Sequence, residues 1–348
     1  LAIIDLETGD QPFRLEDGIT LIANAEIYNY VELRQELANV RFASKSDCEV
    51  ALHLYGRDGD GFANRLRGMY AIAIHDPGER RLLLARDPFG IKPLYYTEGS
   101  FGFAFASESQ ALIASGIVAA DVRPEAAMEL LQLQFTTGRE TIYPGIHRVL
   151  PGETLIVESG RIARRLRRAA LPEGPPEEMD EATALARLEA ALMDSVEIHQ
   201  RSDVPYGMFL SGGIDSSAVI ALMAKLNDHP VRAFTVGFSD TDAVDERDHA
   251  RAVAAAVGAE HVVIDFTEQD FWETLPQIAR VMDDPVADYA ELPTYKLGSM
   301  TIPIIANGRI VNYVFVAMNL RLTSGTEVQS FKDQEPSLRD AIVRAAYK

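Results

Sequence analysis

Phe209-Leu-Ser-Gly-Gly-Ile-Asp-Ser-Ser217 decides how the second half of the chain is read. An apolar run enters Ser211-Gly212-Gly213, and a helix-forming stretch follows at once. Two glycines let the backbone turn tightly and approach a ligand closely. The N–H groups of a helix's first turn have no partner inside the helix and carry partial positive charge, so they can receive a phosphate. Ser211, Ser216 and Ser217 add hydroxyl donors. Asp215 repels phosphate unless a cation bridges the two, which implies a magnesium ion on Asp215. The bland alternative is a glycine turn with Ser and Asp as caps. The full pattern after an apolar strand favours nucleotide binding over that alternative. No Gly-Lys-Ser/Thr follows the glycines, which excludes a Walker A loop.

Around this loop, strand and helix alternate. An amphipathic helix is expected from Glu181 to about His199, and a strand at Tyr206–Leu210. A helix follows from about Asp215 to Leu226, then a strand at Arg232–Val236. A helix around Arg247–Val257 and a strand at His261–Ile264 come next. Such alternation predicts an α/β domain with a parallel sheet and right-handed crossovers.

The first half reads differently. Strands are expected at Ile19–Ala23, Met69–His75 and Arg81–Arg86, the last two joined by the turn Asp76-Pro-Gly78. Leu94–Tyr96 and Phe101–Phe105 form a further hairpin. Helices are expected at Tyr30–Ala38 and Asp47–Tyr55. This is an α+β pattern with antiparallel sheet. Between the halves, Leu171–Glu181 is rich in proline and acidic residues. The expected division is therefore 1–165, a linker over 166–180, and 181–348.

The chain has 348 residues, which suits two domains. Its net charge of −19 disfavours a nucleic-acid partner. The basic run Arg161–Arg168 is followed by acidic residues and reads as a solvated strand end rather than a nucleic-acid patch. The single cysteine, Cys48, allows no internal disulfide and fits a cytoplasmic setting. There is no apolar run of about 18 residues and no signal peptide, so neither a membrane span nor export is expected.

The loop at Ser211–Ser217 resembles the signature of the ATP-pyrophosphatase (PP-loop) family. The first half resembles the glutaminase domain of asparagine synthetases. The stretches that carry the likeness are Leu1–Asp5, Asn24–Asn29, Ser46–Val50, Gly68–Ile74, Leu84–Tyr96 and Phe105–Glu108. In the second half, Val204–Ser217 and Asp284–Thr294 are also similar to that family, and the likeness extends to about residue 300. The resemblance implies that ATP is cleaved between its α- and β-phosphates and that an aspartyl-adenylate forms. Ammonia released from glutamine in the first domain then attacks it. It further implies that Leu210, Ser211, Gly212, Gly213, Asp215, Ser216, Ser217 and Val236 bind ATP, with Leu210 and Val236 at the adenine. Leu1, Ile3, Ile4, Asn24, Ala25, Glu26 and Asp47 would form the glutamine site. Asn24 would stabilise the oxyanion, and Glu26 and Asp47 would hold the α-amino group. Taken alone, Asn24 also reads as a turn residue and Asp47 as a helix cap. The long Arg86–Tyr96 stretch is expected to be structural. A homodimer is common in the family.

Three departures matter. The family's glutaminase nucleophile is an N-terminal cysteine that uses its own amine as base. Residue 1 here is leucine, so the chain as it stands is expected not to hydrolyse glutamine by that route unless residues precede it. Cys48 reads as a small packed residue. Ala25 stands where the family usually has glycine, which matters if that position needs φ > 0. A second glycine- and acid-rich loop is missing after Thr294. Ser324–Glu327 is only a faint echo of it, and residues beyond about Thr301 do not resemble the family. β-Lactam synthetases share the architecture and the missing cysteine. A ligase acting on another acid, or a catalytically incomplete ATP-binding homologue, is therefore the alternative.

Overall fold

The computed structural model describes residues 3–238, 246–283, 294–306 and 309–321, the last two spans as backbone only. The chain divides into two compact units, 1–237 with 246–287, and 238–245 with 288–348.

In the first unit, the N-terminal half stacks two antiparallel sheets. One has six strands in the order β1 (Phe13–Arg14), β2 (Thr20–Ile27), β3 (Gly68–Asp76), β4 (Arg81–Arg86), β8 (Glu153–Glu158) and β9 (Arg161–Arg167). The other has three, with β5 (Tyr95–Gly99) between β6 (Gly102–Ala106) and β7 (His147–Arg148). Side-chain alternation sorts the strands into two cores. On one face of the large sheet, Leu21, Ile27, Tyr70, Ile72, Ile74, Leu83 and Ile156 pack against α1 (Tyr30–Glu36) and α2 (Glu49–Asp58). On the other face, Ala71, Ala73, Leu84 and Leu155 meet Leu94 and Tyr96 of the small sheet. Alanines at two successive inward positions of β3 let the sheets approach. Helix α3 (Ser109–Ala114) covers the far side of the small sheet, where Leu112 packs with Tyr95 and Ile146. Helix α4 (Pro124–Leu133) begins with proline at its first turn.

The Arg86–Tyr96 stretch is braced by its first two residues. Asp87 is fully buried and accepts hydrogen bonds from the N–H groups of Phe89 (3.1 Å), Ile91 (2.9 Å), Lys92 (3.0 Å) and Tyr70 (3.3 Å). Arg86 donates to the carbonyls of Lys92, Val149 and Gly90, each at 2.7 Å. The loop thus obtains from two side chains the hydrogen bonds that a regular ladder would supply.

A second buried carboxylate fastens α2. Glu49 accepts from Ala43 N–H (2.7 Å), from the N–H (2.8 Å) and hydroxyl (2.6 Å) of Ser44, and meets His53 at 3.3 Å. Burial alone would raise its pKa, but His53, Ser44 and Ala43 outweigh it and hold it at about 2. A folded pKa below the unfolded value of about 4.3 gives stability that is present above the unfolded value and is lost as pH falls through the folded one. Acidification from about pH 5 to pH 2 should therefore remove roughly 2–3 kcal/mol through this group. Glu49→Gln should flatten the fall in melting temperature over that window. An unchanged slope would refute the assignment.

The C-terminal half of the unit opens with α5 (Glu181–His199), capped by Asp180, whose side chain accepts Thr183 N–H at 2.8 Å. Then come β10 (Met208–Phe209), α6 (Ile214–Leu226), β11 (Arg232–Phe238), α7 (Arg247–Val257), β12 (Glu260–Phe266) and α8 (Glu268–Val281). The sheet runs β10-β11-β12, and β10 and β11 pair in parallel. Val196, Leu210, Ile220, Met223, Ala233, Ala250 and Ala254 bring α5, α6 and α7 onto one face of it. No described helix is long and apolar enough to cross a membrane.

The α+β half and the following α/β half agree with the sequence expectation, and some boundaries shift. β10 has two residues where five were expected, with Met208 opposite Ala233 and Phe209 opposite Phe234. α2 starts at Glu49 rather than Asp47, because the Asp47 carboxylate turns away to the Ile27 N–H. β9 extends through Arg167, so the expected linker gives up its first two residues to the sheet. In the second unit, β13 (Thr294–Ala306) and β14 (Arg309–Arg321) form an antiparallel hairpin. The segment 284–293 and Ser324–Glu327 lie outside the described residues.

Candidate functional site

The residue before the phosphate loop is locked to the central strand. Leu210 N–H donates to Phe234 O at 2.8 Å, and the Thr235 hydroxyl donates to Leu210 O at 2.6 Å. The chain then turns through Gly212 at φ +81°, where a Cβ would stand 2.7 Å from Ala250 N and 2.8 Å from His249 Cβ. Only glycine lets this turn pack against the start of α7. Gly213 N–H donates to Ser211 Oγ at 3.3 Å, and Ser211 Oγ lies 3.0 Å from Ser216 Oγ. The Ser216 hydroxyl donates to Gly213 O at 3.2 Å. Helix α6 starts at Ile214 with Gly213 at the cap and no side-chain cap hydrogen bond. Its first-turn N–H groups are therefore left for a ligand or water. The loop opens to solvent, with Ile214 89% exposed and Asp215 exposed in the first turn.

Leu210 and Val236, assigned together to the adenine, have side chains on opposite faces of the sheet. Leu210 is in the helix-covered core, whereas Val236 is 40% exposed on the other face. Leu210 can meet a nucleotide only through its backbone. Among the described residues, no group of three or more His, Cys, Asp or Glu is placed to hold a metal ion. Asp215 offers a carboxylate in the first turn after the phosphate loop. That suffices for magnesium, which typically takes one or two carboxylates and completes its shell with phosphate oxygens and water.

In the first half, Asn24 and Glu26 share one face of β2. Asn24 sits mid-strand opposite Ala71, not in a turn. Ile3 and Glu26 line a cavity of about 440 Å³ whose other walls include Val196, His199, Met208 and Met223. Burial pushes the Glu26 carboxyl above its usual range, with Asp47 adding to the rise and Lys92 opposing it. Asp47 is buried beneath the strand and accepts the Ile27 N–H at 2.6 Å. Burial raises its pKa too. Ala25 points the other way, into the core shared with α2. It lies in extended backbone, so its methyl group meets neither strain nor ligand, and only its backbone borders the site. Ile4 is buried, and Leu1 lies outside the described residues. Cys48 is buried beside Ala25, its thiol 3.7 Å from Ala25 O and pushed up by burial, the reverse of an activated nucleophile.

Sequence reading missed the residues that hold the two halves of this unit together. Arg201 makes a bidentate pair with Glu32 at 2.7 and 2.6 Å and donates to Tyr28 O at 2.5 Å. Asp5 N–H donates to Asp203 Oδ2 at 2.8 Å, and Asp203 N–H donates to Ile3 O at 3.3 Å. His199 packs on Tyr28 with ring centroids 4.0 Å apart. Asp5, at φ +58°, also accepts the N–H groups of Thr8 (3.0 Å) and Lys45 (2.7 Å), which fixes the segment that carries Ile3 and Ile4.

Residues 1–167 match the family model of the glutamine amidotransferase domain, and residues 187–301 match that of asparagine synthase. The second match ends where the likeness read from sequence also ends. The chain is 36% identical over 329 residues to asparagine synthetase (glutamine-hydrolyzing) 1 of Bacillus subtilis, covering 92% of this chain and 51% of that protein. It is 37% identical over 248 residues to asparagine synthetase (glutamine-hydrolyzing) 2 of the same organism, covering 68% and 33%. Against amidase chyE of Penicillium rubens it is 33% identical over 294 residues, covering 77% and 42%. The chain thus spans about half the length of these relatives, or less.

Proposed function

Because the chain belongs to the glutamine-hydrolysing asparagine synthetase family, we propose that it works as an ATP-dependent ligase that makes asparagine from aspartate, with glutamine or ammonia as nitrogen source. The observation that carries this reading is the solvent-open loop, where the Ser211 and Ser216 hydroxyls meet at 3.0 Å beside a first turn of α6 that has no side-chain cap. An oxygen of the aspartate side-chain carboxylate attacks the α-phosphorus of ATP. A carboxyl–phosphate bond forms, the bond from the α-phosphorus to the bridging oxygen breaks, and pyrophosphate leaves onto the loop. Ammonia then attacks the acyl carbon, loses a proton, and AMP departs.

Ser211, Gly212, Gly213, Ser216 and Ser217 hold the departing pyrophosphate, and backbone donors that need not reorganise stabilise its growing charge. Leu210 and Val236 border the nucleotide. A magnesium ion on Asp215 would neutralise phosphate charge when bound. Glutamine sits against Ile3, Ile4 and the backbone of Ala25. Asn24 faces the oxyanion, and Glu26 and Asp47 face the ammonium group. The cavity between Glu26 and Met208 is the path for ammonia. The amidotransferase half ends with β9 at Arg167, and the synthetase half begins with α5 at Glu181. Such an enzyme works in the cytoplasm and is commonly a homodimer.

The test incubates the protein with ATP, magnesium and aspartate plus ammonia or glutamine, and measures pyrophosphate and asparagine. Asparagine from ammonia supports the synthetase reading, and asparagine from glutamine extends it to the amidotransferase half. ATP binding without pyrophosphate release from aspartate would overturn it. Release with a different acid would move the reading to a ligase of the β-lactam-synthetase kind.

A further inference from the structure

The basic run Arg161–Arg168 has no part in either site above. In the structure Arg161–Arg167 forms β9, the last strand of the six-stranded sheet, and two of the run's five arginines, Arg164 and Arg165, are engaged with carboxylates. Arg164 pairs with Asp60, which Arg81 also meets at 2.9 Å. Arg165 pairs with Glu153 at 3.3 Å and donates to the Tyr96 hydroxyl at 3.0 Å, while Arg139 takes the same Glu153 at 2.7 Å. Each of these two carboxylates is therefore shared by two guanidiniums. Arg168 Nη1 donates to the carbonyls of Ala63 (3.3 Å) and Leu66 (3.2 Å), which fixes its guanidinium without neutralising it. Arg167 is exposed and meets no carboxylate among the described residues.

These two residues form the ridge between two clefts. One, of about 400 Å³, has Asn64, Thr154 and Arg165 in its walls together with Asp60, which is already engaged. The other, of about 650 Å³, runs along Pro151 to the exposed Glu173. Arginines on an edge strand also discourage strand pairing, but that role needs no fixed orientation. Here Arg168 is held in place and Arg167 stands beside it, in a protein whose net charge of −19 would otherwise repel anions.

We propose that Arg167 and Arg168 form a binding site for a small phosphate-bearing anion, separate from the phosphate loop. Guanidinium forks match phosphate oxygens two at a time, which an acid-rich surface elsewhere does not offer. The Asn64 amide and Thr154 hydroxyl add donors of the same kind. The site shares no residue with the ligase reading and stands or falls independently of it.

Phosphorus NMR titration of the full chain with inorganic phosphate, and in a second arm with glycerol 3-phosphate, tests the site. Arg167 is exposed, so its variants fold. Arg167→Ala should weaken phosphate binding at least tenfold, Arg167→Lys should keep part of it, and ATP binding should not change. Gly212→Ala, which disturbs the phosphate loop, should leave this binding in place. Preference between the two arms distinguishes free phosphate from a phosphate ester as the ligand. The proposal is overturned if Arg167→Ala leaves phosphate binding unchanged or if Gly212→Ala abolishes it. It is also overturned if neither phosphate binds while a single-stranded oligonucleotide does.

Discussion

Replacing Asp87 by alanine lowers the folding stability of the chain by roughly 3–5 kcal/mol. The carboxylate is fully buried and receives four backbone N–H groups, from Tyr70, Phe89, Ile91 and Lys92. Alanine removes all four acceptor contacts at once. A buried donor left unpaired costs about 1–3 kcal/mol, and relaxation of the loop towards water recovers part of the total. Asp87→Asn keeps one acceptor oxygen and should lose about half as much. Urea denaturation followed by circular dichroism reads both variants. A loss below about 1 kcal/mol for alanine would mean that the loop is held by Arg86 alone.

Gly212→Ala abolishes ATP-dependent turnover, with a fall of at least about a hundredfold, while global stability changes far less. At φ +81° an alanine carries about 1–2 kcal/mol of backbone strain. Its Cβ would also stand 2.7 Å from the backbone nitrogen of Ala250, an atom that cannot swing aside. The loop must move by a sizeable fraction of an ångström, and misplacement of about 1 Å at a reacting centre costs about a hundredfold. Gly213→Ala is the informative contrast. Gly213 lies at φ −66°, and its nearest obstacle is the Ser211 hydroxyl oxygen at 3.3 Å. That variant should retain most activity. Equal losses at 212 and 213 would contradict the packing account.

Local signals were legible in the sequence and long-range ones were not. The run from Phe209 to Ser217 announced its strand, turn and helix, because each residue type there has a local reason for its place. Periodicity also gave β3, β4, α5 and α7 to within a residue or so. It overestimated β10, whose ladder to β11 covers only Met208 and Phe209. Helices α3, α4 and α8 were overlooked, although α8 carries a readable start: Thr267 and Asp270 form a reciprocal capping box. Pro276 inside the helix hides that signal.

In the candidate glutamine site, strand parity could have separated Asn24 and Glu26 from Ala25, since neighbouring residues on a strand face opposite ways. The cap role that Asp47 suggests when taken alone is not filled, because its carboxylate accepts the Ile27 N–H of β2 instead. Nothing local announces that Arg201 meets Glu32 or that Asp203 meets Asp5. The partners are well over a hundred residues apart, and no period links them.

The proposed ligase splits ATP between its α- and β-phosphates to activate a carboxylate. Exchange of labelled pyrophosphate into ATP in the presence of magnesium and aspartate, without any nitrogen source, tests it most directly. The account predicts exchange that requires aspartate and disappears in Gly212→Ala. Absence of exchange, with ADP and phosphate as the only products from ATP, would contradict it.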